Sequence, residues 1–172
     1  GMALGEGEGR LAMVHGRAGR GKTRTAQWYH AQNGGVFLRM QTVWRTSELE
    51  FLRGLCRELK ILDPPHRKGP AFGAIVDQLI SEPLPVFLDE IEKLPRYFMD
   101  VIRDLSDLST APVVLIGEDE LVTGMKRNRR VWSRTFKRME FAPIEVADII
   151  VYARDTAGLA LKPMIAALFH NA

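Results

Sequence analysis

This chain of 172 residues has a single cysteine and no long apolar run. Cys56 is the single cysteine, so no internal disulfide can form, which is typical of a protein kept in a reducing cytosol. No apolar run approaches the ~18 residues that span a bilayer, and the N-terminus lacks the charged-then-apolar layout of a signal peptide. These absences argue against a disulfide-stabilised secreted domain and a membrane protein, and they favour a cytoplasmic location.

Residues for zinc binding or nucleophilic catalysis are equally sparse. The histidines are scattered, with no cysteine or carboxylate at ligand spacing, at His15, His30, His66 and His170. No Ser-His-Asp set is recognisable. Cys56 recurs with leucines at helical spacing, which predicts a core side chain and not a nucleophile.

The charge of the chain is unevenly distributed. With 46% hydrophobic and 26% charged residues, the composition is that of one globular domain of ordinary size. The window 121–139 holds seven bases and no acid, whereas the rest of the chain carries 17 bases against 21 acids. This window predicts an anionic partner, although it could also serve solubility or a subunit interface.

Hydrophobic periodicity predicts strands that alternate with helices. The predicted strands are 11–15, 36–40, 85–88, 112–116 and 139–142. The predicted helices are 22–32, 47–60 behind a Ser-x-x-Glu capping box, 71–81, 98–108 and 145–157, with a short helical stretch over the basic window and a further helix possible from Lys162. This alternation is typical of a mostly parallel sheet covered on both faces.

A glycine-rich segment follows the first strand. Residues 16–23, GRAGRGKT, match the P-loop pattern, in which glycines turn the backbone so that its N–H groups and the next helix face phosphate oxygens. In this pattern Lys22 reaches the β and γ phosphates of ATP and the Thr23 hydroxyl ligates Mg²⁺. A glycine-rich turn without a ligand is the alternative. The predicted nucleotide-binding residues are Gly16, Ala18, Gly19, Arg20, Gly21, Lys22, Thr23 and Arg24.

An acidic pair ends the third predicted strand, 67 residues after Lys22. Asp89 is expected to hold the magnesium shell with Thr23, and Glu90 to orient or deprotonate the attacking water. The same pair could merely solvate a strand end, but its spacing from the P-loop leaves room for the intervening strand and helices. Glu90 favours hydrolysis over binding alone.

Together with the later run 129–134, RRVWSR, and 140–143, EFAP, these motifs resemble an AAA+ ATPase, and the run resembles the arginine-finger region of origin-initiator relatives. Within AAA+, 114–121, VLIGEDEL, leading into the basic window, is similar to the target-selection ATPases of Mu-like transposable phages. The resemblance implies a P-loop αβα sandwich with strand order 5-1-4-3-2, and a protein that works in the bacterial host cytoplasm.

The resemblance also implies an arginine that reaches a neighbouring subunit's nucleotide. Arg134 is the first choice for this finger and Arg130 the second, although both could simply solvate a helix face. The implied partners are a transposase, further copies in a ring or filament, and double-stranded DNA bound without sequence preference. The candidate DNA contacts are Lys126, Arg127, Arg129, Lys137 and Arg138.

Three domain segments follow from this interpretation. Residues 1–10 are expected to be a tag scar and flexible leader, 11–143 the ATPase core, and 144–172 the start of the helical lid. The rival functions are a helicase loader or replication initiator, a nucleotide-gated DNA-binding scaffold without significant turnover, and a small-molecule kinase. The acidic pair and the finger-like arginines argue against the kinase.

Overall fold

In a computed structural model, the chain folds around a five-stranded, all-parallel sheet. The structure describes residues 11–143, except for the side chains of Arg134 and Phe136, and residues 11–141 belong to one compact unit. The strand order is β2-β3-β4-β1-β5, which is the predicted 5-1-4-3-2 order read from the other edge. The predicted helix 145–157 and the lid lie outside the described residues.

The predicted alternation of strands and helices is confirmed in the described part. The strands are β1 (Leu11–His15), β2 (Val36–Arg39), β3 (Val86–Asp89), β4 (Val113–Ile116) and β5 (Thr135–Glu140). The helices are α1 (Lys22–Asn33), α2 (Glu48–Glu58), α3 (Lys68–Ser81), α4 (Phe98–Ser109), α5 (Asp119–Lys126) and α6 (Arg129–Arg134), with short 3₁₀ helices at Thr42–Thr46 and Ile91–Lys93. No helix in this part has the length and apolarity needed to cross a membrane.

The two faces of the sheet differ in how many helices pack against them. Side chains alternate along each strand, so Val113 and Leu115 point to one face while Val114 and Ile116 point to the other. The first face packs against α2 to α6 in one large buried cluster, which includes Cys56 as predicted. The second face holds a small cluster, to which α1 contributes Ala26.

Two helix boundaries follow from local chemistry. The Ser47 side chain accepts a hydrogen bond from the Glu50 backbone N–H at 3.3 Å, which confirms the predicted cap of α2. Helix α1 ends where Gly34 adopts a positive φ of 74°, a conformation that glycine allows. Helix α3 begins at Lys68 and not at 71, since Pro70 is tolerated in the first turn.

The basic window departs from its prediction. It contains α6 and most of β5, and β5 begins at Thr135 and not at 139. Lys137 and Arg138 are therefore strand residues, and both are exposed on β5, which pairs with β1 at one edge of the described sheet.

One close contact links α2 to the Thr42–Thr46 helix. Trp44 is buried, and its ring lies directly against Gly54 on α2. A Cβ on Gly54 would approach the Trp44 ring to 2.9 Å, closer than real Cβ contacts allow. Gly54 therefore leaves the space that this ring occupies.

Candidate functional site

The P-loop connects β1 to α1 at the carboxyl edge of the sheet. Gly19 and Gly21 have φ values of 78° and 82°, so the loop turns through backbone conformations that other residues adopt only with strain. A Cβ on Gly16 would come within 2.7 Å of the Phe141 carbonyl oxygen. These three glycines are therefore required for the loop's path.

The remaining predicted loop residues divide by exposure. Ala18 and Arg24 are exposed, whereas the Arg20 guanidinium donates to the Phe141 carbonyl at 2.8 Å. Arg20 thus joins the loop to the chain that leaves β5, and it is oriented by that bond.

Lys22 is buried at the start of α1, with 8% of its surface exposed. Its Nζ donates to the Gly16 carbonyl at 2.6 Å and to the Arg17 carbonyl at 2.8 Å. The ammonium is therefore held inside the loop, where the pattern requires a cation beside phosphate oxygens.

Thr23 and Asp89 meet across the site. The Thr23 Oγ1 lies 3.1 and 3.0 Å from the two carboxylate oxygens of Asp89, whose surface is 1% exposed. Two residues 66 positions apart, one in the first turn of α1 and the other at the end of β3, are thus joined. A hydroxyl and a carboxylate side by side are oxygen donors of the kind that Mg²⁺ takes, so the residues fit this ion.

Arg39 is the counter-ion of Asp89. It is the last residue of β2 and the register partner of Asp89 on β3, and its Nε lies 3.3 Å from Asp89 Oδ2. The Asp89 side chain is almost fully buried while that of Arg39 is 53% exposed. The exposed arginine thus offsets a carboxylate that would otherwise be buried without a cation.

Glu90, next to Asp89 in the chain, has a different partner. It adopts a left-handed conformation with φ 58°, and its carboxylate pairs with Lys93 one helical turn later. The two adjacent acids therefore have different settings: Asp89 is enclosed and contacts Thr23, whereas Glu90 is partly exposed and contacts a lysine.

Glu92 is a further carboxyl near the ends of β3 and β4. Burial raises its pKa above the usual value, and the neighbouring Glu118 and Glu90 carboxylates add to the rise. A hydrogen bond donated by the Glu118 backbone N–H, at 3.4 Å, works in the opposite direction. The Glu92 carboxyl also lies where a side chain on Gly117 would be.

The candidate finger and DNA-binding residues lie on α5, α6, β5 and the connection between α5 and α6. Arg129 and Arg130 are exposed on α6, and Arg127 precedes that helix. Arg134 is the last residue of α6. Lys126 and Arg138 lie 5.8 and 3.7 Å from the centroid of the Trp132 ring, and Lys137 is exposed on β5. None of these residues is in a described contact with the P-loop.

Sequence reasoning missed Arg39, Glu92 and the contact between His15 and Asp119, at 3.1 Å. Arg39 could have been found from the implied strand order, since β2 neighbours β3 and the carboxyl ends of parallel strands meet at one edge. Glu92 carries no such signal, because it lies in a short 3₁₀ helix that the sequence pattern did not predict.

The sequence matches a family model described as an AAA domain over residues 6–124. It is 30% identical over 165 residues to the "Mu-like prophage FluMu DNA transposition protein B" of Haemophilus influenzae, an alignment that covers 90% of this chain and 58% of that protein. It is also 30% identical over 145 residues to the "ATP-dependent target DNA activator B" of Escherichia phage Mu, covering 81% of this chain and 46% of that one. The chain thus spans about half the length of the curated relatives it matches.

The fold is similar to that of solved proteins with little sequence identity. The Aeropyrum pernix ORC2 protein superposes with a TM-score of 0.69 at 15% identity, over 95% of this chain and 50% of that one. Because the family model covers more than half of the chain, and because the P-loop, the buried acid on β3 and the sheet order agree with it, the chain belongs to the AAA domain family.

Proposed function

We propose that this chain is the ATPase core of a phage transposition protein that captures target DNA. In this proposal ATP binds at the P-loop and is hydrolysed between copies of the chain, and the ATP-bound assembly holds duplex DNA without sequence preference for a transposase, in the bacterial host cytoplasm. The observation that best supports this proposal is the contact between Thr23 and Asp89, together with the buried Lys22. The transposition role rests on similarity to proteins named for target DNA activation.

Each residue of the site has a defined task in this proposal. Lys22 would donate to the terminal phosphates, and Thr23 and Asp89 would hold Mg²⁺. When bound, Mg²⁺ supplies positive charge that stabilises the phosphate oxygens. Glu90 would accept a proton from the attacking water, which requires it to leave Lys93.

The proposed arginine finger acts between copies of the chain. Arg134, or failing that Arg130, would extend into a neighbour's site and neutralise charge on the γ phosphate, an effect worth about 10³-fold or more in rate. Catalysis would then require contact between subunits.

A second function, nucleotide-gated DNA binding without turnover, is favoured by the ion pair between Glu90 and Lys93. In that case Glu90→Gln would leave nucleotide-dependent DNA binding unchanged and there would be no hydrolysis to lose. If the chain is an ATPase, the same substitution stops phosphate release and preserves ATP binding.

The test is phosphate release from Mg-ATP against protein concentration, with and without duplex DNA. A finger acting in trans predicts that activity rises faster than linearly with the wild-type concentration and collapses in Arg134→Ala. Arg57→Ala, which removes an exposed arginine from α2, is the matched control. Mixing Arg134→Ala with Glu90→Gln should restore part of the activity, since each variant supplies what the other lacks. A rate per molecule that is independent of concentration in a longer chain as well would contradict a shared site.

A further inference from the structure

A surface cavity forms where the segment before α4 meets the turn between α5 and α6. We call it the basic cavity, and its lining residues are Arg96, Tyr97, Asp100, Arg127, Asn128, Arg129 and Arg130. Arg96 lies outside the basic window of the sequence. The fold thus adds a distant arginine to the basic window.

The positive charge of the basic cavity is not compensated within the described part of the chain. All four of its arginines are exposed, and none forms an ion pair with a described residue. The one lining carboxylate, Asp100, already accepts from Arg103 at 3.1 Å and from Asn128 at 3.4 Å. Several guanidinium groups are therefore available to an anion.

Asn128 fixes the geometry of the basic cavity. Its side-chain oxygen accepts from the Val131 N–H at 3.3 Å and starts α6, while its side-chain nitrogen donates to Asp100 on α4. Its backbone N–H donates to the Met125 carbonyl at 2.9 Å and closes the end of α5. The arginines that flank Asn128 are thereby held beside Arg96.

The same surface extends toward the Thr42–Thr46 helix. The Tyr97 hydroxyl donates to the Arg45 carbonyl at 3.0 Å, which places a further exposed arginine next to the basic cavity. Tyr97 itself is 49% exposed. The basic cavity thus combines arginines from two separate connections, and the backbone of a third connection, at Arg45, lies beside Tyr97.

Two other cations of the basic window, Arg138 and Lys126, contact the protein itself. The Arg138 guanidinium stacks on the Trp132 ring at 3.7 Å and donates to the Trp132 and Thr135 carbonyls, both at 3.3 Å. Lys126 lies over the same ring at 5.8 Å. These cations have protein partners, so they are poorer candidates for DNA than the arginines of the basic cavity.

We propose that the basic cavity binds the phosphodiester backbone of duplex DNA through Arg96, Arg127 and Arg129, a statement that rests on the proposed function. Several exposed guanidinium groups around one open cavity can contact successive phosphates, whereas a finger for a neighbour's nucleotide needs one arginine. Backbone contacts carry no sequence information, which agrees with binding that is indifferent to sequence.

The test is the anisotropy of short labelled duplexes of two unrelated sequences, titrated with the full chain in Mg-ATP at salt concentrations from about 50 to 200 mM. The double substitution Arg96→Gln with Arg127→Gln should weaken binding to both sequences equally, by roughly tenfold or more at the higher salt. It should also reduce the slope of log affinity against log salt by about 2.

Two single variants are matched controls for the loss of charge. Lys60→Gln removes an exposed cation that follows α2, and Arg57→Gln removes an exposed cation on α2; neither residue lines the basic cavity. Both should change the affinity by less than about twofold, since neither removes a proposed phosphate contact. ATP binding, followed with a fluorescent analogue, should be equal in all variants and shows that they are folded.

Several outcomes would overturn the inference. Wild-type binding that persists unchanged in the double variant refutes it and leaves the proposed function intact. No DNA binding by wild type refutes the proposed function itself, together with this inference. Normal DNA binding combined with lost concentration-dependent hydrolysis would assign the basic cavity to a second copy's nucleotide. Loss of DNA binding accompanied by loss of ATP-dependent assembly, measured by sedimentation, would assign it to subunit contact.

Discussion

The two faces of the sheet contribute differently to this molecule. One face is buried under α2 to α6, which pack a large apolar cluster onto every strand from β1 to β4. On the other, the small cluster is covered in the described part by α1, whose one fully buried residue is the charged Lys22. A cavity with apolar walls, including Tyr29 and Phe87, remains between α1 and the sheet.

This difference separates stability from ligand binding. Helix α1 has few apolar contacts, and Trp28 is 64% exposed on it, so its place depends largely on the loop that precedes it. Segments with little apolar packing are those whose local stability a ligand can change most. We infer that the face packed against α2 to α6 provides most of the stability of the fold. The face covered by α1 is the one whose stability nucleotide binding changes.

The largest expected effect is on nucleotide binding by Lys22→Met. The substitution keeps the length of the side chain but removes the ammonium, which would make charge-assisted bonds to phosphate. We expect Mg-ATP affinity to fall roughly hundredfold, measured by calorimetry. The unfolding free energy should change much less, because Lys22 contributes little to either apolar cluster. Unchanged affinity would contradict the assignment of the site.

Substitutions of two adjacent valines on β4 compare how much each face of the sheet contributes to stability. Val113 is fully buried in the large cluster, whereas Val114 is 6% exposed in the small one. We expect Val113→Ala to lower the unfolding free energy by about 2–3 kcal/mol and Val114→Ala by about 1 kcal/mol, measured by urea denaturation. Equal losses would mean that both faces pack alike.

Arg39→Gln removes the cation beside Asp89. We expect the nucleotide-free chain to lose about 1 kcal/mol or less, because the arginine is half exposed. The loss should shrink in Mg-ATP, since Mg²⁺ would then compensate the Asp89 carboxylate, and thermal melts in EDTA and in Mg-ATP measure both states.

Lys68→Gln is the control for Arg39→Gln. It breaks an exposed ion pair with Glu48, at 2.6 Å, and should cost the same in both conditions. If the cost of Arg39→Gln were also the same in both, Arg39 would have no relation to the metal site.

The smallest expected effect is the pH dependence contributed by Glu92. Its pKa is raised in the folded chain, so the folded state binds more protons and stability falls as the pH rises from the unfolded pKa through the folded one. Glu92→Gln should therefore be more stable than wild type at neutral pH, and the difference should disappear in acid. Thermal melts at several pH values measure this, and a difference that grows in acid would contradict the sign.

Sequence predicted most of the fold, and it predicted that Thr23 and Asp89 come together. Short apolar runs predicted strands β1 to β4, and 3.6-residue periodicity predicted most of the helices between them, because buried elements have strong apolar signals. Edge strand β5 was placed too late because its exposed residues, Lys137 to Glu140, resemble a solvated helix. Arg39 was missed because its role depends on Asp89 in the neighbouring strand. The basic cavity was missed because Arg96 is far from the basic window in sequence.

The contact between Gly54 and Trp44 links the interior of the protein to the surface that holds the basic cavity. A methyl group there would collide with the ring of Trp44, which belongs to the same short helix as Arg45. Gly54→Ala would therefore push that helix outward and, through the Tyr97 hydroxyl, disturb the arginines of the basic cavity. Changing an uncharged residue remote from any phosphate could thus alter how tightly the chain holds a nucleic acid.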